Sequence, residues 1–482
     1  MKKFGTLLIA LILLCLTFGA VGCKEKGDFT EYVITCELNG NVLTGEEKVS
    51  YYNDTDNAIS ELKFNLFGNA FREGAKYSPI GAQYVHRAYP NGQSYGKMEI
   101  EGVQSNGKEL QFSVCGEDQN ILSVILLEEL FPNERVDVEI DYSLTLANVI
   151  ARTGYTDKTI NLANFYPILC GYDNGFYECA YYSTGDPFFS DCANYEVNFT
   201  YQADYVVASS GKLIDSKQLG ERVTARYQLE KARSFALVLS KDFESVTDSS
   251  LGVQINYYFY DDQTPDKSLQ YAVKSIKLFT EKFGEYPYPT YSVVQTEFIQ
   301  GGMEFPALVM ISDSLEQGAY GEVIVHETAH QWWQSVVGNN EIEHGFLDEG
   351  LAEYSVVVFY ENYSEYGLKR EQLIESSEKT YKVFCSVYDK IYGNVNTVMI
   401  RSLKDFTSEY EYVNMAYIKP CIMYDTLRRT VGDDAFFKCL KKYYKEYAFK
   451  NAKPDDLVGV FERSGTDANG FFYSFFEGKV II

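Results

Sequence analysis

Histidine and tryptophan are nearly missing from this chain, with 4 His and 2 Trp in 482 residues. Cations are also short: 43 Lys and Arg stand against 68 Asp and Glu, for a net charge of −25. That balance repels nucleic acid and anionic headgroups, which excludes a basic-patch binding role and predicts no nucleic-acid partner. None of the 10 Cys has a CxxC spacing, so a thiolate zinc site or dithiol redox motif is not expected. The apolar block from Leu7 to Phe18 falls short of the about 18 residues a spanning helix needs, and there is no internal repeat or low-complexity tract.

What is present at the amino terminus is Met1-Lys2-Lys3, the apolar block, and then Ala20-Val21-Gly22-Cys23. A basic start, a short apolar core and small residues at the cut describe a secretory signal. Cysteine directly after Ala-Val-Gly resembles the bacterial lipoprotein signal; Ala20 replaces the usual branched aliphatic, and plain secretion is the alternative. Residues 1–22 are thus expected to be a lipoprotein signal peptide, Cys23 the lipidation site and 23–28 a short polar tether. The expected location is extracytoplasmic, with a lipid anchor in a bacterial membrane. Among the other cysteines, Cys170, Cys179 and Cys192 cluster and are the best placed to form disulfides, with buried free thiols as the alternative.

At 46% hydrophobic and 16% aromatic, a chain this long has material for two cores. Before about residue 265 the apolar residues alternate: Val136, Val138, Ile140, Tyr142, Leu144 and Leu146, then Tyr195, Val197, Phe199 and Tyr201. This period of two predicts half-buried antiparallel strands, with Asn39-Gly40-Asn41 as a turn, so residues 29–250 are expected to be an all-β domain. Its loop-like 150–190 segment is expected to lie over the neighbouring domain. In the remainder, 251–482, helical spacing takes over: one helix reaches Phe283 and stops at Gly284, one runs from Tyr320 to Val337, and one runs from an Asp348 cap to Tyr363.

Three of the scarce histidines fall between His326 and His344, two of them in His326-Glu327-Thr328-Ala329-His330. Four residues apart on a helix, His326 and His330 share a face and can reach one ion. A catalytic zinc takes three protein ligands from the His, Glu and Cys set, and Glu349 is placed to be the third. One Zn2+ per chain is expected. Glu327 points about 100° away from His326 and reads as the general base. His344 is assigned to a structural role between two helices, and His86 has no visible partner.

Here the residues resemble a known group, the gluzincin zinc aminopeptidases related to aminopeptidase N and leukotriene-A hydrolase. The likeness rests on HExxH with Glu349 following His330 after eighteen intervening residues, within His330-Gln331-Trp332-Trp333 and Asp348-Glu349-Gly350. Gly301-Gly302-Met303-Glu304-Phe305 is similar to the family's Gly-X-Met-Glu-Asn motif, with Phe305 in place of Asn; Tyr417-Ile418-Lys419-Pro420 is similar to Tyr-X-Lys-Gly, with Pro in place of Gly. Asp186-Pro187-Phe188-Phe189-Ser190-Asp191 also resembles the family's β-domain.

The resemblance implies a β-sandwich-like amino-terminal domain followed by a thermolysin-like, mainly helical catalytic domain. It implies Glu304 as the site for a substrate's free α-ammonium, Gly301, Gly302 and Met303 as the substrate-binding strand, and Tyr417 as oxyanion donor. Glu353, four residues beyond Glu349, either orients a ligand or is merely solvated. Ending at Ile482, the chain carries no tract like the relatives' large helical domain, which implies a more open enzyme. The expected activity is removal of amino-terminal residues from peptides at the cell surface. A zinc endopeptidase, suggested by Phe305, and a non-catalytic peptide-binding sensor are the alternatives.

Overall fold

The computed structural model describes residues 29–316 and 318–480, so the expected signal peptide, tether and Cys23 lie outside the described residues. Alternation builds the amino-terminal half. Strand Arg135–Thr145 turns Val138, Ile140, Tyr142 and Leu144 inward, each buried, and leaves its acids on the outer face. It belongs to an eight-stranded sheet whose central strand, Thr30–Asn39, pairs antiparallel with Val42–Tyr52 through the Gly40 turn and parallel with Ala193–Gln202. Every other pairing in that sheet is antiparallel. Two four-stranded sheets complete this half, and its apolar core continues into the helical half without a break.

A five-stranded sheet beginning at Glu244–Asp248 opens the carboxy-terminal half. Its strand order ends on Leu308–Ser312 and then Gly302–Met303, which leaves Gly302–Met303 at the edge. Helix Pro265–Lys282 starts with proline at its first turn, where the missing N–H costs nothing, and gives way to Gly284 at φ +151°.

The motif helix is shorter than its periodicity predicts. It spans Tyr320–Ala329 with His330 as C-cap, and the chain then turns into the two-residue strand Val337–Gly338. The cause lies far away in sequence: buried Arg233 from the β-domain donates through Nε to the Gln334 carbonyl at 2.7 Å and through Nη2 to the Lys450 carbonyl at 2.7 Å. A Cβ on Gly338 would lie 2.0 Å from Arg233 Cζ, so only glycine lets the guanidinium pass. Likewise Asp348 is not a helix cap. A short helix, Glu341–His344, capped by Asn340, runs through Gly345 directly into helix Phe346–Asn362, which places Asp348 in the first turn.

The 150–190 segment is mainly irregular and does cross to the carboxy-terminal half, where the Tyr177 hydroxyl donates to Glu343. None of the eight described cysteines is in a disulfide, including the cluster expected to pair. Cys179 and Cys192 instead aim their thiols at the carbonyls of Pro187 and Ser335. Among the described residues no helix is long and apolar enough to cross a membrane.

Candidate metal centre and active site

His326 leaves the motif helix on the same face as His330, and their Nε2 atoms stand 3.1 Å apart. Each is 3.2 Å from Glu349 Oε2, which helix Phe346–Asn362 delivers from the opposite side. Zinc bonds of about 2.0–2.1 Å in tetrahedral geometry would set ligand atoms about 3.4 Å apart, and these three atoms match that spacing. The outer ring nitrogens are anchored: His326 Nδ1 is 3.2 Å from Glu353 Oε2 and His330 Nδ1 is 3.0 Å from the Trp333 carbonyl. Of the two readings of Glu353, the ligand-orienting one fits this contact. With both Nδ1 atoms held outward, the Nε2 lone pairs are the ones left for an ion.

Electrostatics reinforce the donor set. Burial pushes the Glu349 carboxyl up, but the two imidazoles outweigh it and hold it down at about 2. For Glu327 burial prevails over the imidazoles and lifts its carboxyl to about 7, the range suited to moving a proton near neutrality. Glu327 is 6% exposed, and its Oε2 has no hydrogen-bond partner among the described residues. Against it lies Gly302, where a Cβ would sit 2.3 Å from Glu327 Oε1. Gly301 is under no such constraint, its nearest neighbour for a Cβ being Val323 at 3.8 Å.

Glu304 follows that edge strand, is 4% exposed and offers a carboxylate oxygen within 4.8 Å of ligand atoms of Glu327 and His330. Burial first, and Asp186 second, push its carboxyl well above the ordinary range. The neighbouring Met303 and Phe305 turn away into a second apolar cluster with Phe298, Leu308 and Met310. Phe305 therefore serves packing, and its backbone carbonyl accepts from Gln331 Nε2 at 3.2 Å. Gln331 Oε1 accepts from the Ala307 amide at 2.7 Å, so the residue after the motif fastens the turn beyond Glu304.

Tyr417 lies in a single π-helical turn, Asn414–Ile418, that feeds helix Lys419–Val431; such turns are frequent at functional sites. Its hydroxyl donates to Glu349 Oε1, and its ring stacks on His326 at 5.7 Å. Burial and the Glu349 carboxylate keep the phenol protonated, as a donor must be. Buried Lys419 pins this turn by donating to the carbonyls of Thr397 at 2.6 Å and Phe475 at 2.8 Å. Pro420 packs where a Cβ on Gly350 would meet it at 2.5 Å, which gives the proline its place beside the Glu349 helix.

Of the other histidines, His86 is exposed on a short helix and His344 ends the Glu341–His344 helix, half-buried, away from the three ligands. Sequence reasoning did not assign the Arg152–Asp186 ion pair, buried and close enough to Glu304 for both to act on it, nor Glu341. The ion pair had no local signal, since it comes from distant segments, and Glu341, between the two ligand segments, stands in none of the motifs.

Residues 267–475 match the peptidase family M1 domain. Aminopeptidase M1-D of Oryza sativa subsp. japonica is 25% identical over 288 residues, covering 56% of this chain and 32% of the rice protein. Endoplasmic reticulum aminopeptidase 2 of Bos taurus is 23% identical over 439 residues, covering 78% of this chain and 42% of the bovine protein. The chain thus spans less than half the length of either relative. The crystal structure of an M1 zinc metallopeptidase from Deinococcus radiodurans superposes with a TM-score of 0.66 at 17% identity, covering 94% of this chain and 95% of that one. A variant of that protein has been solved bound to a Tyr-Ser-Ala substrate, with a TM-score of 0.64 at 18% identity over 94% of this chain and 95% of that one. Residues 267–475 are thus similar to the peptidase family M1 domain, and nearly the whole chain shares the fold of an M1 zinc metallopeptidase.

Proposed function

We propose that the chain is a zinc-dependent aminopeptidase that removes amino-terminal residues from peptides. The observation that carries this reading is Glu304, a buried carboxylate held within 4.8 Å of ligand atoms of both Glu327 and His330. A peptide's α-ammonium at Glu304 sets the first peptide bond, and no later one, beside Glu327. Backbone at the Gly302–Met303 edge is open to pairing with an extended substrate.

Zinc bound by His326, His330 and Glu349 would supply Lewis acidity, polarising the scissile carbonyl and lowering the pKa of water toward about 7. Glu327 takes the proton from the attacking water and returns it to the departing amine. Tyr417 turns its hydroxyl from Glu349 to the oxyanion that develops on the carbonyl. Burial of Glu304, Glu327 and Glu349 keeps bulk water from weakening these contacts.

Phe305 no longer favours an endopeptidase, because its side chain is packed in the second apolar cluster while Glu304 faces the site. One peptide offered with a free and with an acetylated amino terminus decides the matter. Cleavage of the free form alone is expected; equal cleavage of both would remove Glu304 from its role. We place the enzyme outside the cytoplasm, lipid-anchored through Cys23, on the strength of the residue pattern in 1–23. Metabolic labelling with a fatty-acid analogue, lost in Cys23→Ser, is the expected result, and an unlabelled wild-type chain would refute the anchor.

A further inference from the structure

The proposed reading leaves buried carboxyl oxygens unmet at and beside Glu304. Glu304, Glu341 and Asp348 are 4%, 4% and 2% exposed, and each offers a carboxylate oxygen within 4.8 Å of the other two. Glu341 accepts from Gln334 Nε2 at 3.1 Å and Asp348 Oδ1 accepts from Asn339 Nδ2 at 3.2 Å, so both carboxylates are steered into position. Two oxygens remain without any partner among the described residues, Glu304 Oε1 and Glu341 Oε2. An unmet, fully buried carboxylate oxygen is costly, so two in one nest point to a cation that belongs there. Arg152, the cation near Glu304, is already paired with Asp186.

We propose that Glu304, Glu341 and Asp348 together form a three-carboxylate cage for the substrate's primary α-ammonium, with Glu341 and Asp348 as specificity-determining residues. This rests on the aminopeptidase reading and sharpens it. An ammonium has three N–H donors, and acceptors about 2.8 Å from its nitrogen in tetrahedral directions stand about 4.6 Å apart, which the 4.8 Å bound on these oxygens allows. A divalent metal is the competing occupant, and the 4.8 Å bound admits its shorter oxygen–oxygen spacing of about 3–4 Å as well. What disfavours it is charge, since it would place a second dication close to both the first metal centre and the Arg152 guanidinium. The cage therefore selects for the number of N–H donors as well as for charge. A secondary amine, as in an N-methylated or prolyl amino terminus, keeps the charge and loses one donor.

The test uses the zinc-loaded protein with the near-isosteric variants Glu341→Gln and Asp348→Asn, each checked for zinc content and thermal midpoint. Substrates are one peptide with a primary, an N-methylated and an acetylated amino terminus. In the wild type, N-methylation should raise KM about tenfold or more, since a charge-assisted hydrogen bond is lost. In either variant KM for the primary amine should rise by a similar factor, kcat should change less, and the N-methyl penalty should shrink. Binding of leucinamide to the Glu327→Gln protein, followed by calorimetry, should weaken in parallel when Glu341→Gln is added. An unchanged KM and an unchanged N-methyl penalty in both variants would overturn the cage while leaving the aminopeptidase reading intact. Two metal ions per chain in the wild type, falling to one in the variants, would overturn it in favour of a second metal. Equal cleavage of the acetylated peptide by the wild type would bring down the aminopeptidase reading and the cage with it.

Discussion

Gly302→Ala separates catalysis from stability within one methyl group. The added Cβ would lie 2.3 Å from Glu327 Oε1 and 2.6 Å from its Cγ and Cδ. Comfortable non-bonded contacts begin at about 3.5 Å, so the carboxylate must withdraw by about 1 Å. The helix beneath cannot yield as readily, because the Thr328 hydroxyl meets that of Tyr291 at 2.8 Å and packs against the sheet. Glu327 Oε2 has no hydrogen bond to lose, so the side chain moves and the fold is little disturbed. A displacement of about 1 Å in a reacting group costs about 10²-fold in rate. The assay is kcat on a peptide with a free amino terminus, beside zinc content and the thermal midpoint. We expect kcat to fall about 10²-fold, with zinc retained and the midpoint nearly unmoved. Gly301→Ala, whose Cβ would meet Val323 at 3.8 Å, should cost far less. Full activity in Gly302→Ala would refute the placement of Glu327 as proton carrier.

Tyr417→Phe should keep zinc and lose about 10²–10³ in kcat with little change in KM, as removal of one oxyanion donor does; loss of zinc instead would make Tyr417 a support for Glu349. Glu353→Ala should weaken zinc affinity about 10–100-fold, measured by competition with a chelator, because His326 loses the partner that orients it. In the β-domain, Glu47 is 0% exposed with neither oxygen partnered among the described residues, and burial raises its pKa well above the ordinary range. The folded state thus binds a proton that the unfolded chain releases. Glu47's contribution is fully present below its unfolded value of about 4.3 and declines by about 1.4 kcal/mol per pH unit until its folded value is passed. Thermal midpoints should therefore fall less steeply with rising pH in Glu47→Gln than in the wild type; parallel curves would show that Glu47 does not titrate there.

The metal ligands were legible because they depend on local periodicity: a four-residue step fixes His326 against His330, and HExxH needs only one more carboxylate. The alternation over 136–146 revealed its strand for the same reason. What could not be read locally is what distant residues impose. The motif helix breaks at Ala329 under a guanidinium donated from Arg233, and the scarcity of turn residues near Trp332 gave no warning of it. Asp348 looked like a cap because nothing in the residue pattern announced the short helix before it. The nest of Glu304, Glu341 and Asp348 joins three positions that only the fold brings within 4.8 Å. Phe305 read as an altered amine site, yet its side chain belongs to the core and Glu304 is unaffected.

The central claim is that His326, His330 and Glu349 hold one catalytic zinc beside Glu327. Metal analysis of the purified wild type, Glu327→Gln and His330→Ala proteins tests it most directly. The account predicts one zinc per chain in the first two, turnover in the wild type alone, and little or no zinc in His330→Ala. A His330→Ala protein that keeps a full zinc ion, or a Glu327→Gln protein that keeps full turnover, would contradict it.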